Sequence, residues 1–320
     1  MCRFIASRHC FSIASRHCFS IASRLLSSGP LFSWHKLPPL INAESVKSLL
    51  IDGNKFKFID VRSPEQYSKG HIPDAVNIHE VFTYLFLNGH DNLGEERLRI
   101  KFENLFQKAG INGNEPVIVY ENSLKTMYGV SCRGFYLLKL LGHPSVSILN
   151  GGFEAWTKQG LPNSTATPNV SQGTFRACWV NSMWSNKHDV QVAIKEKNTT
   201  LLDVRDKDEW EGRSSSPYGV DFVPRKGRLP GAIHIHWHDF MKTGKDGMTY
   251  FREPEEVREM CAAKGLMPDN KMIVYCFKGA RASNTYIALK EAGFTNVSNY
   301  FGSWNEWSRD HQLEIDSKIL

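Results

Sequence analysis

Short runs of β-branched and aromatic residues alternate along this chain with stretches of helical spacing. Phe56-Lys57-Phe58-Ile59, Val117-Ile118-Val119-Tyr120, Thr200-Leu201-Leu202 and Met272-Ile273-Val274-Tyr275 are the clearest strand candidates. Apolar residues fall at helical intervals over 46–51, 98–109 and 257–264. Strands that alternate with helices in this way predict an α/β fold, with each central parallel sheet carrying helices on both faces.

The pattern occurs twice, in the same order. Phe58-Ile59-Asp60-Val61-Arg62 answers to Leu201-Leu202-Asp203-Val204-Arg205, and His71-Ile72-Pro73-Asp74-Ala75 to Arg228-Leu229-Pro230-Gly231-Ala232. Val117-Ile118-Val119-Tyr120 answers to Met272-Ile273-Val274-Tyr275, and Gly152-Phe153-Glu154-Ala155-Trp156 to Gly302-Ser303-Trp304-Asn305-Glu306-Trp307. A repeat this long predicts two domains of one fold rather than a solenoid. Residues 161–173 carry Pro162, Pro168, Gly173 and a run of Ser, Thr and Asn, and read as the connection. The expected organisation is a leader over 1–40, a first domain over 41–162, a linker over 163–176 and a second domain over 177–320.

Composition changes this picture mainly at the start. Of a net charge of +6, five charges come from Arg3, Arg8, Arg16, Arg24 and Lys36, with no acid before Glu44. The body is therefore close to neutral, and a nucleic-acid partner is not expected. The leader is rich in Arg, Ser and aliphatic residues and repeats Ser-Ile-Ala-Ser-Arg. That composition suits a mitochondrial transit peptide, which predicts a matrix protein. Elsewhere no apolar run approaches a membrane span, so no membrane partner is expected. Of seven cysteines, Cys132, Cys178, Cys261 and Cys276 lie in the body without a CxxC pair. This argues against a zinc site and a disulfide framework. His234, His236 and His238 alternate as on one strand face, which reads as a surface or domain contact rather than a metal site. No dinucleotide fingerprint or P-loop lysine occurs, and no cofactor is expected.

The candidate chemistry lies between Tyr275 and Ala282. A strand-like run feeds Cys276-Phe277-Lys278-Gly279-Ala280-Arg281, which feeds a helix-like run. A thiol there lies over the positive end of a helix dipole, beside two cations, conditions that favour the thiolate. The loop N–H groups form a cradle for an anion, and Gly279 lets the backbone curl. Phe277, Gly279, Ala280 and Ala282 are expected to line the substrate through this backbone, while Lys278 and Arg281 hold an anionic group. Cys-dependent phosphatases place five residues between Cys and Arg. Here there are four, and Tyr275 stands where those enzymes usually carry His.

Together, the Asp-Val-Arg strand ends, the His-Ile-Pro and Leu-Pro-Gly-Ala segments, the GGFEAW and GSWNEW ends and the CFKGAR loop resemble the tandem-domain rhodanese family. This family includes thiosulfate and 3-mercaptopyruvate sulfurtransferases. The resemblance covers roughly 41–315. It implies that Cys276 is the catalytic residue, carrying sulfane sulfur as a persulfide from thiosulfate to cyanide, to a thiol such as glutathione, or to thioredoxin. It also implies an inactive first domain, because Glu121 occupies the place of Cys276. Mercaptopyruvate enzymes carry a Ser two places after the Cys, and Lys278 stands there instead. Asp60 and His71 match the Asp and His of their charge relay. The alternatives are therefore a mercaptopyruvate enzyme or a persulfide carrier without turnover. Family members usually carry a substrate-binding Arg at the position of Glu209. The expected replacement is a cation from Arg225, Lys226 or Arg228.

Overall fold

The structure, a computed structural model, describes residues 37–88 and 92–318. Its first sheet contains β1 (Leu40–Asn42), β2 (Lys57–Asp60), β3 (Val76–Asn77), β4 (Val117–Tyr120) and β5 (Val146–Asn150), in the order β1-β5-β4-β2-β3. The second contains β6 (Trp184–Ser185), β7 (Thr200–Asp203), β8 (Ile233–His234), β11 (Met272–Tyr275) and β12 (Val297–Tyr300), in the order β6-β12-β11-β7-β8. Between β8 and β11, β9 (Met241–Thr243) and β10 (Thr249–Phe251) form an antiparallel hairpin. All pairings in both large sheets are parallel. The central β4 and β11 are buried at every residue, as strands covered on both faces must be. This is the expected α/β architecture, built twice.

The repeat extends to single hydrogen bonds. Arg62 holds Asp60 at 2.6 Å and donates to the Gly70 carbonyl, as Arg205 holds Asp203 at 2.6 Å and donates to the Gly227 carbonyl. The hydroxyls of Tyr120 and Tyr275 each accept a backbone N–H at 3.1 Å, from Ile72 and Leu229. The Phe153 N–H donates to the Glu121 carbonyl as the Trp304 N–H donates to that of Cys276. This last pair fixes the register of the closing segments, placing Gly152 opposite Ser303.

The helices Val130–Leu140 and Ala280–Glu291 follow β4 and β11 and pack against each other. Every residue of the first is buried except Lys139, and Ala280 to Leu289 are all buried in the second. Helices apolar on most sides belong inside a core. Here they join the two halves: Tyr136 packs edge-on against Tyr286 and face-on against Phe301, and one apolar cluster runs through both sheets.

Residues 1–36 lie outside the described residues, and with them most of the leader. Leu37 is already buried and Leu40 pairs with Ile148, so the first sheet begins within 1–40. The 161–180 segment forms no helix or strand and runs along the first domain. The His71 N–H donates to Ser164, and the Gly173 N–H donates to Gln107 at 2.7 Å. A Cβ on Gly173 would lie 2.1 Å from the Ile111 carbonyl oxygen, so the close approach requires glycine. Among the described residues, no helix is long and apolar enough to cross a membrane.

Candidate functional site

Cys276 directly follows the buried strand β11, and the chain turns sharply at Gly279 into the Ala280–Glu291 helix. Gly279 has φ +89°, and a Cβ there would come within 2.7 Å of the Phe301 ring. No other residue fits this position. The turn aims the Gly279 N–H at the Cys276 Sγ, 3.1 Å away. The Cys276 N–H is held in turn by the Ser303 hydroxyl at 3.1 Å, which itself donates to the Tyr300 carbonyl. The following helix has twelve residues, and its first-turn N–H groups have no acceptor within the helix.

The thiol is only 1% exposed. An aromatic rim covers it. Tyr218 packs against Phe222 and Phe277, Phe222 against Phe277, and Tyr128 of the first domain against Tyr218. Tyr218 and Phe222 of this rim are both exposed, on a loop inserted between β7 and β8.

Three cations interact with Cys276: Lys278, Arg281 and Arg133. Lys278 lies between the Phe82 and Tyr218 rings, and its ammonium donates to the Phe82 carbonyl at 2.7 Å. Burial, with Arg133 and Arg281 nearby, pushes Lys278 down to about 7, although Cys276 opposes this. Arg281 is 1% exposed and tied up by carboxylates: Glu209 at 2.5 and 3.0 Å and Asp206 at 3.1 Å. Burial opposes its charge, but these partners raise its proton affinity well above the ordinary value.

This arrangement corrects several expectations. Arg281 is a structural strut between the helix and the 206–209 turn, with its fork occupied. Glu209 stands where the family resemblance leads one to expect Arg, and here it pairs with Arg281. The basic insertion supplies no replacement. Arg225 donates to the carbonyls of Trp307, Ser308, Asp310 and Leu313, Arg228 to Trp210, Lys318 and Asp316, and Lys226 pairs with Asp221. Ala282 is fully buried in the shared core, leaving only its backbone for a ligand, and Ala280 is 2% exposed. Asp60 is occupied by Arg62, and both ring nitrogens of His71 meet carbonyls, those of Tyr67 and Ala166. The three histidines do not share a strand face, because β8 stops at His234. His234 bonds to the Arg205 carbonyl, His236 to Asp206, and His238 packs on Trp237. Among the described residues no cluster could hold a metal, and the four cysteines form no disulfide.

Sequence reading missed the aromatic rim and Asp206, and also Ser303, Phe82 and Arg133. Ser303 could have been found, because it replaces Gly152 of the other repeat. Phe82 and Arg133 carry no local signal: they reach the site from the first domain only through the fold. In that domain the matching loop is five residues longer. It begins at the fully buried Glu121, whose carboxylate accepts from the Ser131 N–H and hydroxyl.

The profile of the Rhodanese-like domain matches residues 42–159 and 186–310. Among curated proteins, the chain is 29% identical over 276 residues to a putative thiosulfate sulfurtransferase of Haloferax volcanii, covering 84% of this chain and 92% of that one. It is 31% identical over 271 residues to one of Saccharopolyspora erythraea, covering 82% and 89%. It is 30% identical over 250 residues to the sulfur carrier protein TtuD of Thermus thermophilus, covering 75% and 83%. Among solved structures, wild-type EanB superposes with a TM-score of 0.73 at 22% identity, over 88% of this chain and 70% of that one, a likeness of fold alone.

Proposed function

The chain belongs to the rhodanese family, as two such domains in tandem, and its relatives include putative thiosulfate sulfurtransferases and a sulfur carrier protein; from that premise we propose that it carries sulfane sulfur on Cys276, with thiosulfate as donor. The observation that carries this reading is the Gly279 N–H directed at Sγ from a left-handed turn, with the Lys278 ammonium alongside. The Cys276 thiolate attacks the outer sulfur of thiosulfate. The S–S bond of the donor breaks, and sulfite leaves with its electron pair. The enzyme keeps a persulfide, whose terminal sulfur is the next electrophile. Cyanide, or a thiol such as glutathione or thioredoxin, takes that sulfur, and the Cys276 thiolate departs. The loop N–H groups stabilise the anionic sulfur, as an oxyanion hole does. Lys278, which gives one N–H to the Phe82 carbonyl, meets the sulfonate through its charge.

Glu121 cannot form a persulfide, so the first domain acts only as a wall and support. A mercaptopyruvate reaction is disfavoured, since Lys278 replaces the serine and His71 is engaged elsewhere. A carrier role has one supporting observation: the thiol is covered, as suits a persulfide shielded until a partner takes it. We also propose that the leader directs the protein to the mitochondrial matrix.

Mass spectrometry after thiosulfate treatment tests the chemistry. The protein is expected to gain one sulfur, localised by digestion to the peptide containing Cys276. Cys276→Ser is expected to gain none, whereas Cys132→Ser, Cys178→Ser and Cys261→Ser load normally. Sulfur loading in the Cys276 variant would end the proposal. Thiocyanate formation from thiosulfate and cyanide then separates turnover from carriage.

A further inference from the structure

Arg133 belongs to the domain without the candidate nucleophile, yet it lies within electrostatic reach of Cys276 and Lys278. It is fully buried in the Val130–Leu140 helix, beneath the Phe301 ring at 4.6 Å. Its guanidinium donates to the carbonyls of Val81 at 2.8 Å, Tyr84 at 2.9 Å and Phe82 at 3.4 Å. These carbonyls close the one-turn helix Glu80–Thr83, where a helix leaves acceptors without partners and favours cations. Its Nε has no hydrogen-bond partner among the described residues. The Phe82 oxygen that Arg133 helps to fix is the one that receives Lys278 at 2.7 Å.

Two buried cations from different domains therefore meet on one carbonyl beside the candidate nucleophile. We propose that Arg133 is a positioning residue for sulfur transfer: by fixing the 81–84 carbonyls it places the Lys278 ammonium where an anionic donor must bind. The proposal rests on the Cys276 persulfide reading. The first domain then supplies no chemistry of its own, but sets how well the loop of the second domain takes its donor.

Lys278 is faced by Cys276 on its own loop, by Arg281 with its partners Asp206 and Glu209, by Tyr218 from the inserted loop, and by Arg133 and the Phe82 carbonyl from the first domain. Of these, Arg133 is the second largest influence, after burial, disfavouring a charged Lys278. Removing Arg133 should thus have two separable effects. The ammonium loses its place, which weakens donor binding. It also keeps its proton to higher pH.

The test is single-turnover sulfur loading of the full chain at varied thiosulfate, read as the half-saturating concentration at a series of pH values. In the native protein this concentration should climb as pH rises through about 7, where Lys278 loses its charge. At pH 6, Lys278→Met should raise it roughly tenfold, the size of one lost charge-assisted hydrogen bond. Arg133→Met should also raise it at pH 6, and should move the alkaline climb to higher pH. Combined with Lys278→Met, it should add nothing further. Arg133→Lys, which keeps the charge but not the fork, should weaken binding at pH 6, leave the climb in place and show the same non-additivity. If Arg133→Met does not fold, Arg133→Lys carries the test alone. Multiplying effects in the double variant, or unchanged donor saturation at pH 6, would overturn the proposal. Failure of the native protein to load sulfur at Cys276 would instead overturn the persulfide reading beneath it.

Discussion

Ser303 is held at φ +54°, a left-handed conformation that costs an L-residue about 1–2 kcal/mol. Its counterpart Gly152, at φ +66°, adopts the same region without that cost. The serine keeps the strain because its hydroxyl holds the buried Cys276 N–H, and a buried donor without a partner costs about 1–3 kcal/mol. The two terms are of similar size, which separates two variants. Ser303→Gly releases the strain and loses the bond, so its melting temperature should stay close to that of the native protein. Ser303→Ala keeps the strain and loses the bond, and should be less stable by about 1–3 kcal/mol. Both should load sulfur more slowly, because Cys276 is no longer anchored from behind. Normal loading in Ser303→Gly would show that the hydroxyl does not position the thiol.

At the scale of elements, what could be read from sequence followed periodicity. The strands 117–120 and 272–275 and the helices around 46, 98 and 257 rest on local spacing, and they are where the spacing put them. The Cys276 loop was legible too, because a glycine between a strand and a helix has few other uses. The roles of the cations were not. Whether Arg281 faces a ligand or a carboxylate depends on Glu209, 72 residues away in sequence, and Arg225 reads as a replacement substrate-binding cation until its four carbonyl acceptors are seen. The first-domain loop carries a further consequence. Burial pushes the Glu121 carboxyl up to about 7, although Ser131 and the Val130 N–H pull it down. Below its ordinary value of 4.5 the folded and unfolded chains both hold the proton. Between there and about 7 only the folded chain holds it. Stability is therefore lost as pH rises through that window, by up to about 3 kcal/mol. Glu121→Gln should remove this slope, so that the variant is more stable than the native protein at pH 8 and little different at pH 4.5. Parallel urea midpoints across the whole range would refute it.

For the whole molecule, the repeat suggests two independent domains, but the packing joins them. The helices Val130–Leu140 and Ala280–Glu291 are buried against each other, Tyr136 and Phe301 stack across the junction, and the Tyr136 hydroxyl donates to the Met183 carbonyl. Pulling the halves apart would expose an apolar face on each helix, with no water-compatible alternative for it. Interfaces between domains that move freely are more polar than this one. Unfolding should therefore be a single cooperative transition in which calorimetry, far-ultraviolet dichroism and tryptophan fluorescence coincide. Tyr136→Ala removes a ring from the centre of the junction and should cost about 3–5 kcal/mol, the range for a large buried aromatic. If the halves are one unit, that loss lowers the midpoint seen by every probe equally. If they are independent, the probes separate, and Trp156 in the first half reports a different midpoint from Trp304 and Trp307 in the second. The same coupling bears on function, because Arg133 and Phe82 reach Cys276 only across this junction. A variant that splits the transition should therefore lose donor affinity before it loses the fold of the second half.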